Sequence, residues 1–315
     1  MTATAATPVG RRSRLAVVVL NYRTPEQTLL TVDSLRASRR RIDELIVVDN
    51  GPEVGAGDSL HARLPGVTVL ETAENLGFAG GCNVGIRHAL EGGAELVMLV
   101  NSDVWLPPDC VGRLEDALAC PTTGVVGPLL LSRSDPEHVA SLGISFSELS
   151  GRMRHEGYGR HLGSLTLPEN RIVAGVSGCV MLARRQVFES IGLFDEDYFF
   201  TFEDLDFCLR ARRAGFGSAV IYGARAYHEG SASLASASPS RVYFASRNHL
   251  LLASRAIPRG NGALRLFRAA FIVALNAAHV LVSRPTPVRG GLTALIRGVR
   301  DHVRGRYGAI VERPD

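Results

Sequence analysis

Apolar residues in this chain gather in short unbroken runs, separated by segments in which they recur at every third or fourth position. Leu15-Ala-Val-Val-Val-Leu20 is one such run, the mark of a strand buried on both faces. Leu45-Ile-Val-Val48, Val67-Thr-Val-Leu70 and Leu96-Val-Met-Leu-Val100 repeat it. Helix signals lie between them. Thr24-Pro25-Glu26 puts Pro at the first helical position and predicts a helix to about Ala37. Gly77 to Gly81 reads as a glycine-rich turn and Asn83 to Leu90 as the helix behind it. Pro107-Pro108 opens a further helix, to about Ala119. Four strands alternating with helices between Leu15 and Ala119 predict an α/β fold, a doubly wound and mostly parallel sheet flanked by helices.

The pattern then loosens. Gly124 to Leu131 predicts a strand, Gly151 to Gly163 a mobile loop rich in Gly, Arg and His, and Ile172 to Leu182 has strand character. Helices are expected at Gln186 to Ile191 and Phe202 to Ala214, each stopped by a glycine, and a last strand at Ala219 to Tyr222. Ser231 to Ser240 reads as a linker, after which the chain is mostly helical. Met1 to Gly10 reads as a loose tail. The first apolar run is six residues long, too short for a secretory leader.

In open α/β sheets, ligands sit beyond the carboxyl ends of the strands. Asp49 and Asp103 both lie at such ends. A single Asp there is accounted for by a turn or a helix cap. Two at neighbouring strand ends point to a shared site, one for a base or ribose and one for a cation on a diphosphate. Glu74 to Asn83 lies between them, and its glycines would let backbone N–H groups approach a phosphate. No GxGxxG or GxxxxGK[ST] motif is present, and the chain holds no Lys, which excludes a Walker-type NTPase.

Phe199-Phe-Thr-Phe-Glu-Asp-Leu-Asp-Phe207 sets three carboxylates among aromatic rings. Carboxyl groups in such surroundings tend towards raised pKa and suit a general base, while acids at a helix start also complement its dipole. One of the three is expected to cap and another to react. His228 follows the last predicted strand on the same side, where it could ligate a metal or touch a phosphate.

Composition narrows the classes further. The 315 residues carry 35 basic side chains, all Arg, against 31 acidic ones. From Arg241 onward there are 13 Arg and three acids, a net +10; the rest holds 22 Arg and 28 acids, a net −6. An acidic body with a basic end is not the pattern of a nucleic-acid binder. Five Cys without CxxC spacing exclude a zinc ribbon or disulfide framework and suit a reducing, cytoplasmic compartment. Residues 264–282 are interrupted by Arg265, Arg268, Asn276 and His279 and read as a buried or interfacial helix. In 292–306, Leu292, Leu295, Ile296, Val299 and Val303 share one arc with Arg289, Arg297, Arg300 and Arg304 beside it. That is a basic amphipathic helix, suited to anionic lipid or to packing on the body.

The motifs, taken in order, resemble those of the inverting glycosyltransferases of family 2, which have the GT-A fold, and in particular the bacterial rhamnosyltransferase-like branch that builds cell-surface glycans. The matching pieces are Val18-Val-Leu-Asn-Tyr22, Val47-Val-Asp-Asn50, Asn75-Leu-Gly-Phe-Ala-Gly-Gly-Cys-Asn83, Leu99-Val-Asn-Ser-Asp103, Gly178-Cys-Val-Met-Leu182, Gly192-Leu-Phe-Asp195, Phe202-Glu-Asp-Leu-Asp206 and Arg212-Arg-Ala-Gly-Phe216. A segment like Tyr243-Phe-x-x-Arg-Asn-x-x-Leu-Leu252 is common in the same branch.

The resemblance implies roles for named residues. Asp49 binds the base, and Asn21, Asn75, Gly80, Asn83 and Asn101 line the donor pocket. Asp103 holds a divalent cation, Mg2+ or Mn2+, with His228 as a second ligand. Asp204 is the catalytic base and Glu203 helps to place the acceptor, with Gly178 and Asp206 on the acceptor side. The usual Asp-x-Asp is Asn101-Ser102-Asp103 here, so one carboxylate is missing and weaker metal binding is expected. The implied donor is dTDP-L-rhamnose, with UDP-sugars behind it. The acceptor is a lipid-linked glycan or a smaller glycosylated compound. A place at the inner face of the plasma membrane and a homo-oligomer stay open.

Four regions are expected: a tail at 1–13, a nucleotide-sugar half at 14–130, an acceptor and base half at 131–235, and a basic helical extension at 241–315 that stands largely apart from the chemistry. A non-catalytic sugar-nucleotide binder of the same fold would be expected to have lost Asp103 or Asp204. A nucleotidyltransferase would need a basic phosphate loop that Asn21-Tyr22-Arg23 does not supply.

Overall fold

A computed structural model describes residues 12–51, 60–229, 238–256, 262–282 and 286–310. The expected N-terminal tail and most of the expected linker at Ser231 to Ser240 lie outside them. In chain order the elements are β1 (Leu15–Asn21), α1 (Pro25–Arg36), β2 (Glu44–Asp49), α2 (Leu60–Arg63), β3 (Thr68–Glu71), α3 (Gly77–Glu91), β4 (Leu96–Asn101), β5 (Val104–Trp105), α4 (Cys110–Ala117) and β6 (Thr123–Ser132). Then follow β7 (Val139–Ser141), β8 (Ile144–Phe146), β9 (Met153–His155), β10 (Asn170–Val173), β11 (Val180–Arg184), α5 (Arg185–Ile191), α6 (Glu203–Arg213) and β12 (Gly217–His228). The chain closes with α7 (Pro239–Ala256), α8 (Gly262–Val282) and α9 (Val288–Val303).

The central sheet has the order β10-β12-β6-β11-β4-β1-β2-β3, with β5 on β12 and β7 on β6. Strands β1, β2, β3, β4, β6 and β12 point one way, so the sheet is mostly parallel as the sequence predicts; β11 is wedged antiparallel between β4 and β6. The unbroken apolar runs follow from coverage on both faces. Ala16, Val18 and Leu20 of β1 pack with Ala79, Cys82 and Ile86 of α3, while Leu15, Val17 and Val19 pack with Val32, Leu35, Val111 and Leu114 of α1 and α4.

Three expectations change. The glycines at 77–81 do not form a turn: α3 begins at Gly77 and includes them. A Cβ on Gly81 would lie 2.5 Å from Leu20, and one on Gly85 2.3 Å from Val18, so bare backbone lets α3 lie directly on β1. The segment expected as a mobile loop carries β9, paired with β8, and a 3-10 turn at Leu162–Ser164. The last strand is also far longer than Ala219 to Tyr222. Its far end pairs with β5, setting Tyr227 opposite Trp105 and His228 opposite Val104.

The C-terminal helices are continuous with the body. Leu251, Leu252 and Ala256 of α7 share a core with Tyr198, Phe202, Leu205 and Leu209. Helix α9 docks on α7 through Ala294, Leu295 and Gly298, where a Cβ on Gly298 would meet the Tyr243 carbonyl at 2.6 Å, while Gly291 faces Val280 of α8. Its expected apolar arc is therefore split: Leu292, Leu295 and Val299 face inward, while Ile296 and Val303 face out.

Candidate active site

The carboxyl ends of β1, β2 and β4 lie side by side and carry Asn21, Asp49 and Asn101. Asn21 Nδ2 donates to Asp49 Oδ1 at 2.8 Å, while its Oδ1 accepts from Thr24 and Thr28. Burial pushes the Asp49 carboxyl up; the Asn21 bond opposes this, and Glu71, opposite on β3, adds to it. Asn50, to which the sequence reading assigned no role, ties this floor to α3. Its Nδ2 donates to Asn75 Oδ1 and the Gly77 carbonyl, and its Oδ1 accepts from Leu76 N. Gly80 sits one turn in, where a Cβ would press on Leu76. Asn83, expected in the donor pocket, is buried and engaged elsewhere. It bonds both main-chain groups of Phe194 and the Glu196 carboxylate, so it braces the loop before α6.

The Asn101-Ser102-Asp103 turn is fixed to α1 by Ser102 Oγ, 2.8 Å from Thr24 Oγ1. Asp103 is 5% exposed, and its Oδ1 lies 3.2 Å from His228 Nε2. That is ion-pair reach without hydrogen-bond alignment, and Nε2 is buried with no hydrogen-bond partner among the described residues. Burial opposes charge on His228, but nearby Cys179 and Asp103 outweigh it and hold its pKa up. A carboxylate oxygen and an imidazole nitrogen that has given up its proton, each about 2.1 Å from one divalent ion and at right angles, lie about 3 Å apart, so this pair fits a cation that displaces the His228 proton. Asn101 Oδ1, also buried without a hydrogen-bond partner among the described residues, stands where the missing carboxylate of Asp-x-Asp would be. Among the described residues no third His, Cys, Asp or Glu completes a metal cluster. The remaining positions would fall to diphosphate oxygens and water, as suits an ion that binds with its substrate.

The three acids of α6 sort by rotation about the helix axis. Glu203 points into the core. It is 5% exposed, its Oε2 has no hydrogen-bond partner among the described residues, and burial together with Asp204 pushes its carboxyl well up, which favours the neutral acid. Asp206, one turn on and equally buried, accepts from Tyr198 Oη and from Arg210 Nε at 2.7 Å. Neither is placed for the acceptor-side role expected of it, because residues three apart share a helix face and that face is turned inward. Asp204 is the partly exposed one. Its Oδ2 accepts from Gly178 N at 2.9 Å, and the next carbonyl, of Cys179, accepts from Asn101 N. One dipeptide thus joins Asp204 to the turn that carries Asp103. A side chain on Gly178 would crowd Phe78 and Asp204.

The loop entering α6 is strained. Phe199, Thr201 and Phe202 have φ of 59°, 68° and 75°, values that cost non-glycine residues of order 1–3 kcal/mol each. The Phe199 carbonyl accepts from Phe78 N at 2.6 Å, which joins this loop to the start of α3.

A doubly wound sheet with acidic and amide side chains at its strand ends, a candidate cation pair and one presented carboxylate defines a sugar-nucleotide transferase of the GT-A type. The family described as "Glycosyltransferase like family 2" matches residues 12–250, and the chain belongs to it. It is 28% identical over 237 residues to the N-acetylglucosaminyl-diphospho-decaprenol L-rhamnosyltransferase of Mycobacterium tuberculosis, covering 68% of this chain and 75% of that one. It is 26% identical over 217 residues to the dTDP-rhamnosyl transferase RfbF of Shigella flexneri, covering 66% and 70%. A mannosyltransferase from Pyrobaculum calidifontis, solved with GDP-Man and Mn2+, has the same fold. Its TM-score is 0.56 at 16% identity, over 94% of this chain and 89% of that one.

Proposed function

We propose that this glycosyltransferase moves L-rhamnose from dTDP-L-rhamnose, with inversion, to a hydroxyl of a lipid-linked glycan in cell-surface glycan synthesis. The observation that carries the reading is Asp204, the one partly exposed carboxylate of the three on α6, tied through Gly178 and Cys179 to the Asn101–Asp103 turn. The acceptor hydroxyl attacks the anomeric carbon from the face opposite the diphosphate. The new C–O bond forms as the bond to the β-phosphate oxygen breaks, dTDP leaves, and the proton passes to Asp204. One base and one displacement give inversion. Asn21 and Asp49 hold the base and ribose. A divalent cation held by Asp103 and His228 would neutralise charge gathering on the leaving diphosphate. The rhamnose assignment is supported by the two relatives, both named as rhamnosyl transferases. With Mn2+ present, dTDP-L-rhamnose is expected to raise the unfolding midpoint more than any other member of a panel of dTDP-, UDP- and GDP-sugars. A larger shift with a UDP-sugar would replace the donor.

We also propose that the C-terminal helices lay the chain on an anionic membrane at the cytoplasmic face. Helix α8, which by length and composition could also cross a membrane, turns an apolar stripe outward: Phe267, Ala270, Ala274, Ala278 and Leu281, with Leu266 and Val282 73% and 81% exposed beside it. Among the described residues from 238 onward the one carboxylate is Asp301, which is buried, while Arg265, Arg289, Arg300, Arg304 and Arg306 are exposed. Arg300 and Arg306 each lie 3.9 Å from Asp301, but one buried carboxylate leaves this region with an excess of cations, and apolar surface beside such an excess suits anionic headgroups. The protein is expected to float with phosphatidylglycerol vesicles and to lose this on Phe267→Glu. Failure of the parent chain to float would reject the proposal.

A further inference from the structure

Arg247 is fully buried, yet no carboxylate pairs with it among the described residues. Its Nη2 donates to the Asp197 and Tyr198 carbonyls and its Nη1 to the Gly308 carbonyl. Its Nε donates to Asn248 Oδ1 at 2.9 Å, which fixes the orientation of the neighbouring amide. Asn248 Nδ2 then points at three carbonyls of the strained loop: Tyr198 at 2.7 Å, Phe200 at 2.8 Å and Thr201 at 3.1 Å. The rest of the Tyr-Phe-x-x-Arg-Asn-x-x-Leu-Leu segment closes on the same loop. Phe244 stacks on Phe199 at 5.3 Å between ring centroids, and Leu251 and Leu252 pack with Tyr198 and Phe202.

Desolvating a guanidinium for the sake of main-chain carbonyls is costly, and strained backbone persists only where its surroundings over-determine it. Here the loop so held ends at Phe202, two residues before Asp204. We infer that Arg247 and Asn248 are positioning residues, which set the catalytic carboxylate at the start of α6 by clamping the backbone that precedes it. The basic C-terminal region, expected to stand apart from the chemistry, thus reaches into it. The inference rests on Asp204 being the base. Asp204→Asn assayed alongside separates the two, since its retained activity would sink that reading whatever the clamp does.

The test is steady-state transfer by the full chain with Asn248→Ser and Asn248→Ala, alongside dTDP titration to count folded sites. Transfer per folded site is expected to fall in the order Asn, Ser, Ala, reaching a 10- to 100-fold loss of kcat at Ala, in line with small misplacements in other sites. KM for the donor and dTDP affinity should stay within about 3-fold, because the clamp touches neither. A merely structural residue would lower the unfolding midpoint and leave kcat per folded site unchanged, which would overturn the inference. Equal losses of kcat and dTDP affinity would overturn it as well. If Asn248→Ala does not fold, Asn248→Asp, equal in size but without the amide donors, takes its place. An unfolded Asn248→Asp would show a residue needed for folding and not for placing the base.

Discussion

Asp204→Asn is expected to lose transfer by 10²- to 10⁴-fold, the usual worth of a positioned general base, with dTDP affinity unchanged. The substitution keeps the shape at the start of α6. It also keeps one oxygen, while both carboxylate oxygens now accept main-chain N–H groups, from Gly178 at 2.9 Å and Leu205 at 2.7 Å. One of those donors would then face the amide NH2, so a stability loss of about 1 kcal/mol should accompany the kinetic one. Glu203→Gln is the matched comparison. Glu203 is buried, and burial, together with Asp204, pushes its carboxyl up and favours the neutral acid, so removing its ionisable group should change transfer only a few-fold. Single-turnover rates for the two variants decide between the adjacent acids. A large loss at Glu203 with little at Asp204 would reverse their roles.

Asp103→Ala should abolish the effect of Mn2+ on nucleotide binding. In the parent chain Mn2+ is expected to tighten dTDP on the order of 100-fold. Without Asp103 the pair is reduced to His228, and the affinities with and without Mn2+ should converge. The measurement is calorimetric titration of dTDP with Mn2+ or with a chelator, and a variant that keeps the full Mn2+ effect would remove Asp103 from the ligand set. Asn101→Asp tests the same site from the other side. It rebuilds Asp-x-Asp where Asn101 Oδ1 is buried without a hydrogen-bond partner among the described residues, and should tighten Mn2+ further.

Much of this site is legible in the residues. Asp49 and Asp103 are placed by the rule that ligands gather at strand ends, Asn21 by the family resemblance, and the strands announce themselves as unbroken apolar runs. The glycines of α3 mislead because a glycine cluster has the same local signature in a turn as in a helix that must lie close to a strand. Only the closeness of α3 to β1 decides between them: a Cβ on Gly81 would lie 2.5 Å from Leu20. Asn83 misleads for a similar reason: it follows the glycines like a pocket residue, but the partner that claims it, Phe194, is 111 positions away. Asn50 could have been suspected from its place beside Asp49, whereas nothing local connects Asn248 to a loop some fifty residues earlier.

The alternation of strands and helices, the family, and the short segments that carry the candidate site residues could all be read from the residues alone. Periodicity and turn chemistry are local consequences of burial and backbone sterics, and so are written locally. Tertiary structure alone decided which of Glu203, Asp204 and Asp206 is partly exposed, that His228 meets Asp103, and that a buried arginine of the basic C-terminal region holds the loop before Asp204. Each of these depends on the angle at which a helix or strand docks, and that angle is set by packing between residues far apart in the chain.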